Sequence, residues 1–368
     1  MFKQHFYHPA GIGCQPEEQP PTSGRSGGSS DDLNRPSQRI VPGRRIRTIP
    51  SRLAPGSRAP ACGEPMPVVD RSVEVPGFGS IRFRLVGNDS NPLAVALGGI
   101  SADRRVDRWW SGVTGIGGAL SERRFQLLSM NWPEPDSEGP ASVDGFADAL
   151  AGLLDVLGFS RIHSLVGASF GAMVGLAFGA RHADRLGRLI AISGAHRSTP
   201  AATAGRLIQR EIIASLSRLG VPERGVALAR GLALTSYRPA SLFDQRFFDP
   251  DPDRTINSIQ GYLEYNGGRF AGQFDAARYL ALSTALDRHH VEPARVRCPT
   301  ELIGVHSDTL VPVSQLRELA GAIGIRARLH LLDSPYGHDA FLKSTELLNP
   351  LLARLLGDSS RESTNVRP

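Results

Sequence analysis

The pentapeptide Gly167-Ala168-Ser169-Phe170-Gly171 lies between a short apolar run, Ile162 to Val166, and an apolar segment of helical character. This order predicts a buried strand, a tight turn and a helix. The two glycines permit a turn sharp enough to lift the serine side chain off the sheet. Ser169 is therefore predicted to be a nucleophile that forms a covalent acyl intermediate. A turn serine without a catalytic role is the alternative.

A serine hydroxyl needs a base to remove its proton, and the chain offers ten histidines. His338 is the best placed, because it follows the last predicted strand, Leu329 to Leu332, and precedes a predicted C-terminal helix. The imidazole in turn needs a carboxylate to hold its tautomer. Asp308 fits this role, since it follows the penultimate predicted strand, and Asp333 is the alternative acid.

Six other histidines are predicted to lie away from this site. His163 and His330 fall within predicted strands. The other four stand next to arginines or acids and are expected at the surface: His182, His196, His289 and His290.

The tetrahedral oxyanion of acyl transfer needs hydrogen-bond donors. The N–H of Phe170, at the start of the predicted helix, is one candidate. The second should come from the loop after the strand Leu93 to Leu97, where the flexible stretch Gly99, Ile100, Ser101 and Ala102 follows. This stretch is also predicted to contribute to substrate specificity. The N–H of Ile100 is the preferred donor, and a tight turn without this role is the alternative.

Strand-like and helical patterns alternate along most of the chain, which predicts a parallel sheet with helices on both faces. A hairpin, with strands at 72–75 and 81–85, precedes this alternation. The order Ser169, Asp308, His338 is the chain order of the α/β-hydrolase fold. Residues 200–290 show several helical patterns and no clear strand, so a helical cap inserted into that fold is predicted.

The predicted organisation has five parts. Residues 1–66 are rich in Pro, Gly, Ser and Arg and are expected to be disordered, although the true start could also lie near Met66. A disordered tail is expected at the other end. This tail comprises residues 359–368. Between the two ends lie the first core segment (67–199), the cap (200–290) and the second core segment (291–358).

Composition excludes several other classes of protein. The absence of a long apolar run argues against a membrane span, and the polar N-terminus favours the cytoplasm. Three cysteines without paired spacing argue against a disulfide framework and a zinc site, so no metal is expected. The net charge of +6 does not require a nucleic-acid partner, because much of the excess lies in the first 60 residues. An anionic acyl-CoA would equally explain surplus arginine.

Four stretches resemble the homoserine O-acyltransferases, over roughly residues 75–355. The ending Gly337-His338-Asp339-Ala340-Phe341-Leu342 is strongly typical of this family. The other three are Ser307 to Pro312, the cap segment with Leu228-Ala229-Arg230 and Thr235 to Arg238, and the cap-helix motif Leu207 to Glu211. The elbow differs, since it reads Ala-Ser-Phe-Gly where the family usually has Ser-Met-Gly-Gly.

The resemblance implies roles for two further residues. Arg230 would bind the carboxylate of an amino-acid acceptor, and Asp339 would hold its ammonium group. A zwitterion with a hydroxyl needs such a cation and anion, with His338 as the base near its oxygen. The implied reaction is a ping-pong transfer from an acyl-CoA co-substrate to homoserine, the first committed step of methionine biosynthesis. A homodimer is also implied.

Arg206 bears on the identity of the acyl group. It lies four residues before Arg210, so both project from one helix face. An arginine there resembles the succinyl-CoA users of the family, where it would pair with the free succinyl carboxylate; a solvated arginine is the alternative. Acetyl-CoA as donor and serine as acceptor remain open, since one methylene is worth only about 1–3 kcal/mol. An esterase, or a catalytically inactive member acting as a binding protein, is the more distant alternative.

Overall fold

The computed structural model describes residues 66–134 and 141–357. The predicted extension, residues 1–66, therefore lies outside the described residues except for Met66. The predicted tail, residues 359–368, lies wholly outside them.

A single sheet of eight strands forms the centre of the described part, in the order β1-β2-β4-β3-β5-β6-β7-β8. The strands are β1 Val68–Val75, β2 Gly79–Val86, β3 Leu93–Leu97, β4 Gln126–Met130, β5 Ser164–Ala168, β6 Leu189–Ile192, β7 Thr300–Val305 and β8 Ala327–Leu332. β1 and β2 form the antiparallel hairpin that the sequence predicts, and β2 pairs antiparallel with β4. All pairs from β4 to β8 are parallel.

Helices cover both faces of this sheet. They are α1 Val106–Trp109, α2 Ser111–Thr114, α3 Val143–Val156, α4 Phe170–Arg181, α5 Pro200–Arg218, α6 Pro222–Tyr237, α7 Ala240–Phe247, α8 Pro252–Ala271, α9 Ala276–Arg288, α10 Val313–Ile323, α11 Ala340–Lys343 and α12 Thr345–Gly357. The apolar sides of α3, α4 and α10 pack on one face, and those of α1, α2 and α12 pack on the other. Because both faces are covered, the central strands β3 and β5 are buried along their whole length and are mostly apolar.

The five helices α5–α9 are inserted between β6 and β7 and form the cap. Thr199 caps the start of α5, where its hydroxyl accepts from the N–H of Ala202. Cap helices pack mainly on one another through buried residues such as Ile213, Val226 and Leu282. The predicted architecture, a mostly parallel sheet with an inserted helical cap, is confirmed.

The prediction of surface positions is wrong for His196 and His289, each of which is 4% exposed. They lie where the chain enters and leaves the cap, and the two segments pair there: the N–H of Val291 donates to the carbonyl of His196. Burial lowers the pKa of His289 to about 4, so its imidazole is neutral at neutral pH. The surface prediction relied on charged neighbours in the sequence, which do not show that these two segments pair and bury both histidines.

No helix within 66–134 and 141–357 combines the length and apolar character that crossing a membrane requires.

The turn after β5 leaves no room for a side chain at Gly171. The N–H of Gly171 donates to the carbonyl of Gly98 over 2.8 Å. A Cβ atom at position 171 would lie 2.4 Å from the carbonyl oxygen of Leu97, well inside contact distance. The first turn of α4 is therefore pressed directly against the end of β3.

We expect Gly171→Ala to lower the free energy of unfolding by about 1–3 kcal/mol, because the backbone on both sides must shift. Gly261→Ala is the matched control. Gly261 lies exposed in α8 with open space around it, and there the alanine should stabilise the protein by about 0.5–1 kcal/mol. Urea unfolding measures both, and equal effects would contradict the described packing.

Candidate active site

Ser169 occupies a strained backbone conformation at the junction of β5 and α4. Its φ is 55° and its ψ is −115°, in a region that residues other than glycine rarely adopt. Its N–H donates to the carbonyl of Ile192 at the end of β6, over 2.8 Å. The turn thus directs the serine side chain away from the sheet, as the sequence predicts.

His338 and Asp308 meet this serine in one hydrogen-bonded row. The His338 Nε2 atom lies 2.8 Å from Ser169 Oγ, and its Nδ1 atom lies 2.8 Å from Asp308 Oδ2. The other carboxylate oxygen of Asp308 accepts from the N–H groups of Leu310 and Val311. Asp333, the alternative acid, is exposed and does not bond to the histidine.

The charge state of His338 is set by opposing effects. Burial by itself lowers the pKa of the imidazole, because the charged form loses its solvation. The charge and hydrogen bond of Asp308, with a smaller contribution from Asp339, outweigh burial and raise the pKa above its ordinary value. The imidazole is therefore a stronger base than a free histidine.

The loop that carries His338 is held from two sides. Gly337 has a positive φ of 57°, and a Cβ there would lie 2.7 Å from the carbonyl oxygen of Tyr237 in the cap. Its N–H donates to the hydroxyl of Ser307, the residue before Asp308. The Tyr237 ring also contacts the imidazole, with centroids 5.8 Å apart. The end of α6 and the histidine loop are therefore packed as one unit.

Two backbone N–H groups near Ser169 have no acceptor in the described part of the chain. They belong to Phe170 and Ile100, the two predicted oxyanion donors. Gly99, Ile100 and Ser101 line the cavity above the serine, whereas Ala102 does not line it. The N–H of Ala102 is used within the loop, where it donates to the carbonyl of Gly99.

The cavity has a volume of about 330 Å³ and lies between the sheet and the cap. Ser169 and His338 open onto it, together with Arg206, Arg230 and Asp339. The structure therefore brings Ser169, His338 and all three predicted substrate-binding residues to one cavity, and Asp308 reaches it through its hydrogen bond to His338.

Arg230 has no carboxylate partner within the described ranges. Its guanidinium carbon lies 4.8 Å from the ring centroid of Phe270 and 5.3 Å from that of Tyr237. The aromatic faces stabilise the cation without neutralising it. A partly buried positive charge is therefore available to an anion that enters the cavity.

Asp339 is paired with an arginine that the sequence did not assign to it. Its Oδ2 atom accepts from Arg238 Nε over 3.0 Å, and Arg238 in turn donates to the hydroxyl of Tyr262 in α8. This pair fixes the carboxylate in place, while the Oδ1 atom has no protein donor in the described part. Asp339 can therefore still accept from a cationic group.

Arg206 is not a solvated arginine, because its side chain is only 15% exposed. It shares the carboxylate of Asp287, in α9, with Arg210. Arg206 Nε lies 2.7 Å from Asp287 Oδ1, and Arg210 Nη1 lies 2.6 Å from Asp287 Oδ2. This arginine cluster, Arg206, Arg210 and Asp287, carries two positive charges and one negative charge. Its excess positive charge faces the cavity through Arg206.

No group of three or more His, Cys, Asp or Glu side chains in the described ranges is arranged to hold a metal ion.

Comparison with known proteins identifies the family. A family model described as the α/β hydrolase fold matches residues 96–345. The homoserine O-succinyltransferase of Xanthomonas campestris pv. campestris is 40% identical over 291 residues, which cover 75% of this chain and 78% of that protein. The chain belongs to the homoserine O-acyltransferase family.

Two further comparisons agree. The serine O-succinyltransferase of Frateuria aurantia is 32% identical over 288 residues, covering 65% of this chain and 78% of that protein. The crystal structure of homoserine O-acetyltransferase from Bacillus anthracis superposes with a TM-score of 0.70 at 15% identity, covering 80% of this chain and 98% of that one. The structural likeness supports the fold, and the relatives of this O-acyltransferase differ in donor and acceptor.

The sequence did not single out several residues of this O-acyltransferase that the structure places at the cavity. Asp287 and Arg238 are missed because their partners, Arg206 and Asp339, lie 81 and 101 residues away along the chain. Ser198 and Gln209 also line the cavity. The one sequence signal for the arginine cluster is that Arg206 and Arg210 lie on the same face of one helix. Two neighbouring buried cations need a carboxylate, and this need could have prompted a search for Asp287.

We expect the acid limb of the pH profile of kcat/KM to lie above the ordinary histidine pKa of about 6.5, since His338 must be neutral to act as a base. Activity is then lost as the pH falls through the raised pKa. Asp308→Asn should lower kcat by about 10³–10⁴-fold and move the residual acid limb to lower pH, because burial then dominates. Steady-state rates between pH 5 and 9, a range that brackets this pKa, measure both effects.

Asp333→Asn is the matched control, since this exposed residue should leave rate and pH profile unchanged. A loss of activity comparable to that of Asp308→Asn would show that the acid has been assigned to the wrong residue.

Proposed function

We propose that this protein transfers a succinyl group from succinyl-CoA to the hydroxyl of L-homoserine through an acyl-serine intermediate. The choice of succinyl-CoA as donor rests on the arginine cluster. Its excess positive charge faces the cavity that Ser169 also lines. The choice of acceptor rests on Arg230, Asp339 and the family. The proposal places this reaction in the cytoplasm.

In the first half-reaction, Ser169 Oγ attacks the thioester carbonyl while His338 Nε2 takes its proton. The hydrogen bond between these atoms already has the required length of 2.8 Å. The N–H groups of Phe170 and Ile100 stabilise the oxyanion. When the C–S bond breaks, the proton passes from His338 to the departing CoA thiolate.

In the second half-reaction, the acceptor hydroxyl approaches the acyl-serine and His338 removes its proton. The resulting alkoxide attacks the ester carbonyl, and the proton returns to Ser169 as the new ester leaves. Asp308 stabilises the imidazolium that forms in each step. The cap encloses the cavity and limits the access of water, which would otherwise hydrolyse the intermediate.

The acceptor is oriented by two opposite charges. The unpaired guanidinium of Arg230 binds its carboxylate, and the free oxygen of Asp339 accepts from its ammonium group. Asp339 also favours the protonated amine, which is not a nucleophile. These contacts direct acylation to oxygen rather than nitrogen.

Charge matching favours a dicarboxylic acyl group. The pair of Asp339 and Arg238 is neutral, whereas Arg230 and the arginine cluster each contribute one uncompensated positive charge. An amino-acid acceptor is a zwitterion with no net charge: its carboxylate pairs with Arg230 and its ammonium group with Asp339. A succinyl group supplies the further carboxylate that the arginine cluster can bind. An acetyl group would leave the cluster with a partly buried excess charge, which is unfavourable.

Two alternatives within the family remain, acetyl-CoA as donor and L-serine as acceptor. The relative from Frateuria aurantia, a serine O-succinyltransferase, is a reason to test the second. An esterase reaction, with water as acceptor, is the more distant alternative. The homodimer expected from the resemblance stays a prediction.

CoA release by the purified protein, with acetyl-CoA or succinyl-CoA and with homoserine or serine, tests the proposal. We expect succinyl-CoA with homoserine to give the highest kcat/KM. Rapid hydrolysis of nitrophenyl esters without any dependence on an amino acid would favour an esterase instead.

We expect Arg206→Leu to lower kcat/KM for succinyl-CoA at least tenfold and to leave the value for acetyl-CoA nearly unchanged, because only the succinyl carboxylate needs the cation. Arg230→Gln should instead raise the KM for homoserine with either donor. Equal losses with both donors in Arg206→Leu would contradict the proposed role of the arginine cluster.

A further inference from the structure

We propose that Ser198 is a positioning residue for acyl-donor selection, which fixes the Arg206 guanidinium so that one amino group faces the cavity. This inference rests on the proposed function, in which Arg206 binds the distal carboxylate of the acyl group. Ser198 lies between β6 and α5, in the segment that enters the cap.

Most of the hydrogen-bonding capacity of Arg206 is directed away from the substrate. Its Nε and Nη2 atoms both lie 2.7 Å from Asp287 Oδ1. Nη2 also donates to Ser198 Oγ over 2.8 Å. The remaining amino group, Nη1, has no acceptor in the described part of the chain, and the side chain lines the cavity. One end of the planar guanidinium is therefore anchored, and the other is left for a ligand.

The Ser198 hydroxyl can act toward Arg206 only as a hydrogen-bond acceptor. Ser198 Oγ donates its single proton to the carbonyl of Leu286 in α9, over 2.8 Å. Its lone pairs are then directed toward Arg206, which has only donors. Ser198 thus connects the entry of the cap to α9 and presents a fixed acceptor to the guanidinium.

Asp287 cannot perform this orienting function alone. Its Oδ1 atom accepts from both Arg206 and the hydroxyl of Thr203, and its Oδ2 atom accepts from Arg210. Arg206 Nε and Nη2 both contact this single oxygen, Oδ1, and two donors on one acceptor still allow the guanidinium plane to tilt about that oxygen. The second contact, to Ser198, on a different segment of the chain, removes this freedom.

The consequence is a preorganised carboxylate site. Arginine loses considerable rotamer freedom when it is fixed, and a guanidinium already held in place loses less of it on binding a ligand. The fixed plane also limits where a carboxylate can form two parallel hydrogen bonds. Ser198 therefore improves binding of an acyl group that ends in a carboxylate and has no such effect on one that ends in a methyl group.

The test is the ratio of kcat/KM for succinyl-CoA to kcat/KM for acetyl-CoA, with homoserine as acceptor. We expect Ser198→Ala to lower this ratio about tenfold, because kcat/KM falls with succinyl-CoA and not with acetyl-CoA. Ser198→Thr keeps the hydroxyl and should retain most of the parent ratio. In the Arg206→Leu background, Ser198→Ala should have no further effect on the ratio. A shift of the ratio that adds to that of Arg206→Leu, or equal losses with both donors, would overturn the proposal.

Ser283→Ala is the matched control, since the Ser283 hydroxyl accepts from Arg210 rather than Arg206. It should leave the ratio within twofold of the parent protein. The design separates the two hypotheses. If the parent protein prefers acetyl-CoA, the proposed donor is wrong. If Arg206→Leu does not change the ratio, the proposed role of the arginine cluster is wrong. If Arg206→Leu changes the ratio and Ser198→Ala does not, only the role of Ser198 is wrong.

Discussion

The strained turn at Ser169 is the constraint on which the rest of the site depends. A non-glycine residue at a φ of 55° costs on the order of 1–3 kcal/mol, and surrounding contacts must offset that cost. Two backbone hydrogen bonds do so: the N–H of Ser169 bonds to the end of β6, and the N–H of Gly171 bonds to the carbonyl of Gly98, after β3. Because these bonds come from the two strands beside β5, the serine is positioned by the centre of the sheet.

The histidine is positioned differently, by a loop in contact with the cap. Gly337 allows the loop to approach the carbonyl of Tyr237 closely, and Ser307 links the same loop to the segment that carries Asp308. The sheet thus supplies the nucleophile, while the base is held jointly by the second core segment and α6. A movement of the cap would consequently shift His338 and the proposed acceptor site together, since Arg230 and Tyr237 belong to the same helix.

The cap also determines the electrostatics of the cavity. Arg206 and Arg210 share one carboxylate, so a group of three charged side chains retains a net charge of +1 in a largely desolvated place. Such an excess is unfavourable for the free protein, and an anionic ligand relieves it. This excess charge is what the proposed succinyl carboxylate would neutralise, apart from the proposed acceptor site around Arg230 and Asp339.

The sequence by itself determined the order of strands and helices, the elbow and the choice of His338, because apolar periodicity and turn residues act over a few neighbouring positions. It also predicted a role for Asp308 from its place after the penultimate strand, and roles for Arg230, Asp339 and Arg206 from the family resemblance. Only the tertiary structure decided that Asp308 rather than Asp333 meets the histidine, that His196 and His289 are buried, and that Asp287 and Ser198 hold Arg206. The bonds of Asp308, His289 and Asp287 join residues 30 to 94 apart, and local sequence patterns carry no record of such pairings. Ser198 is only eight residues from Arg206, but its hydroxyl is oriented by Leu286, 88 residues further along the chain.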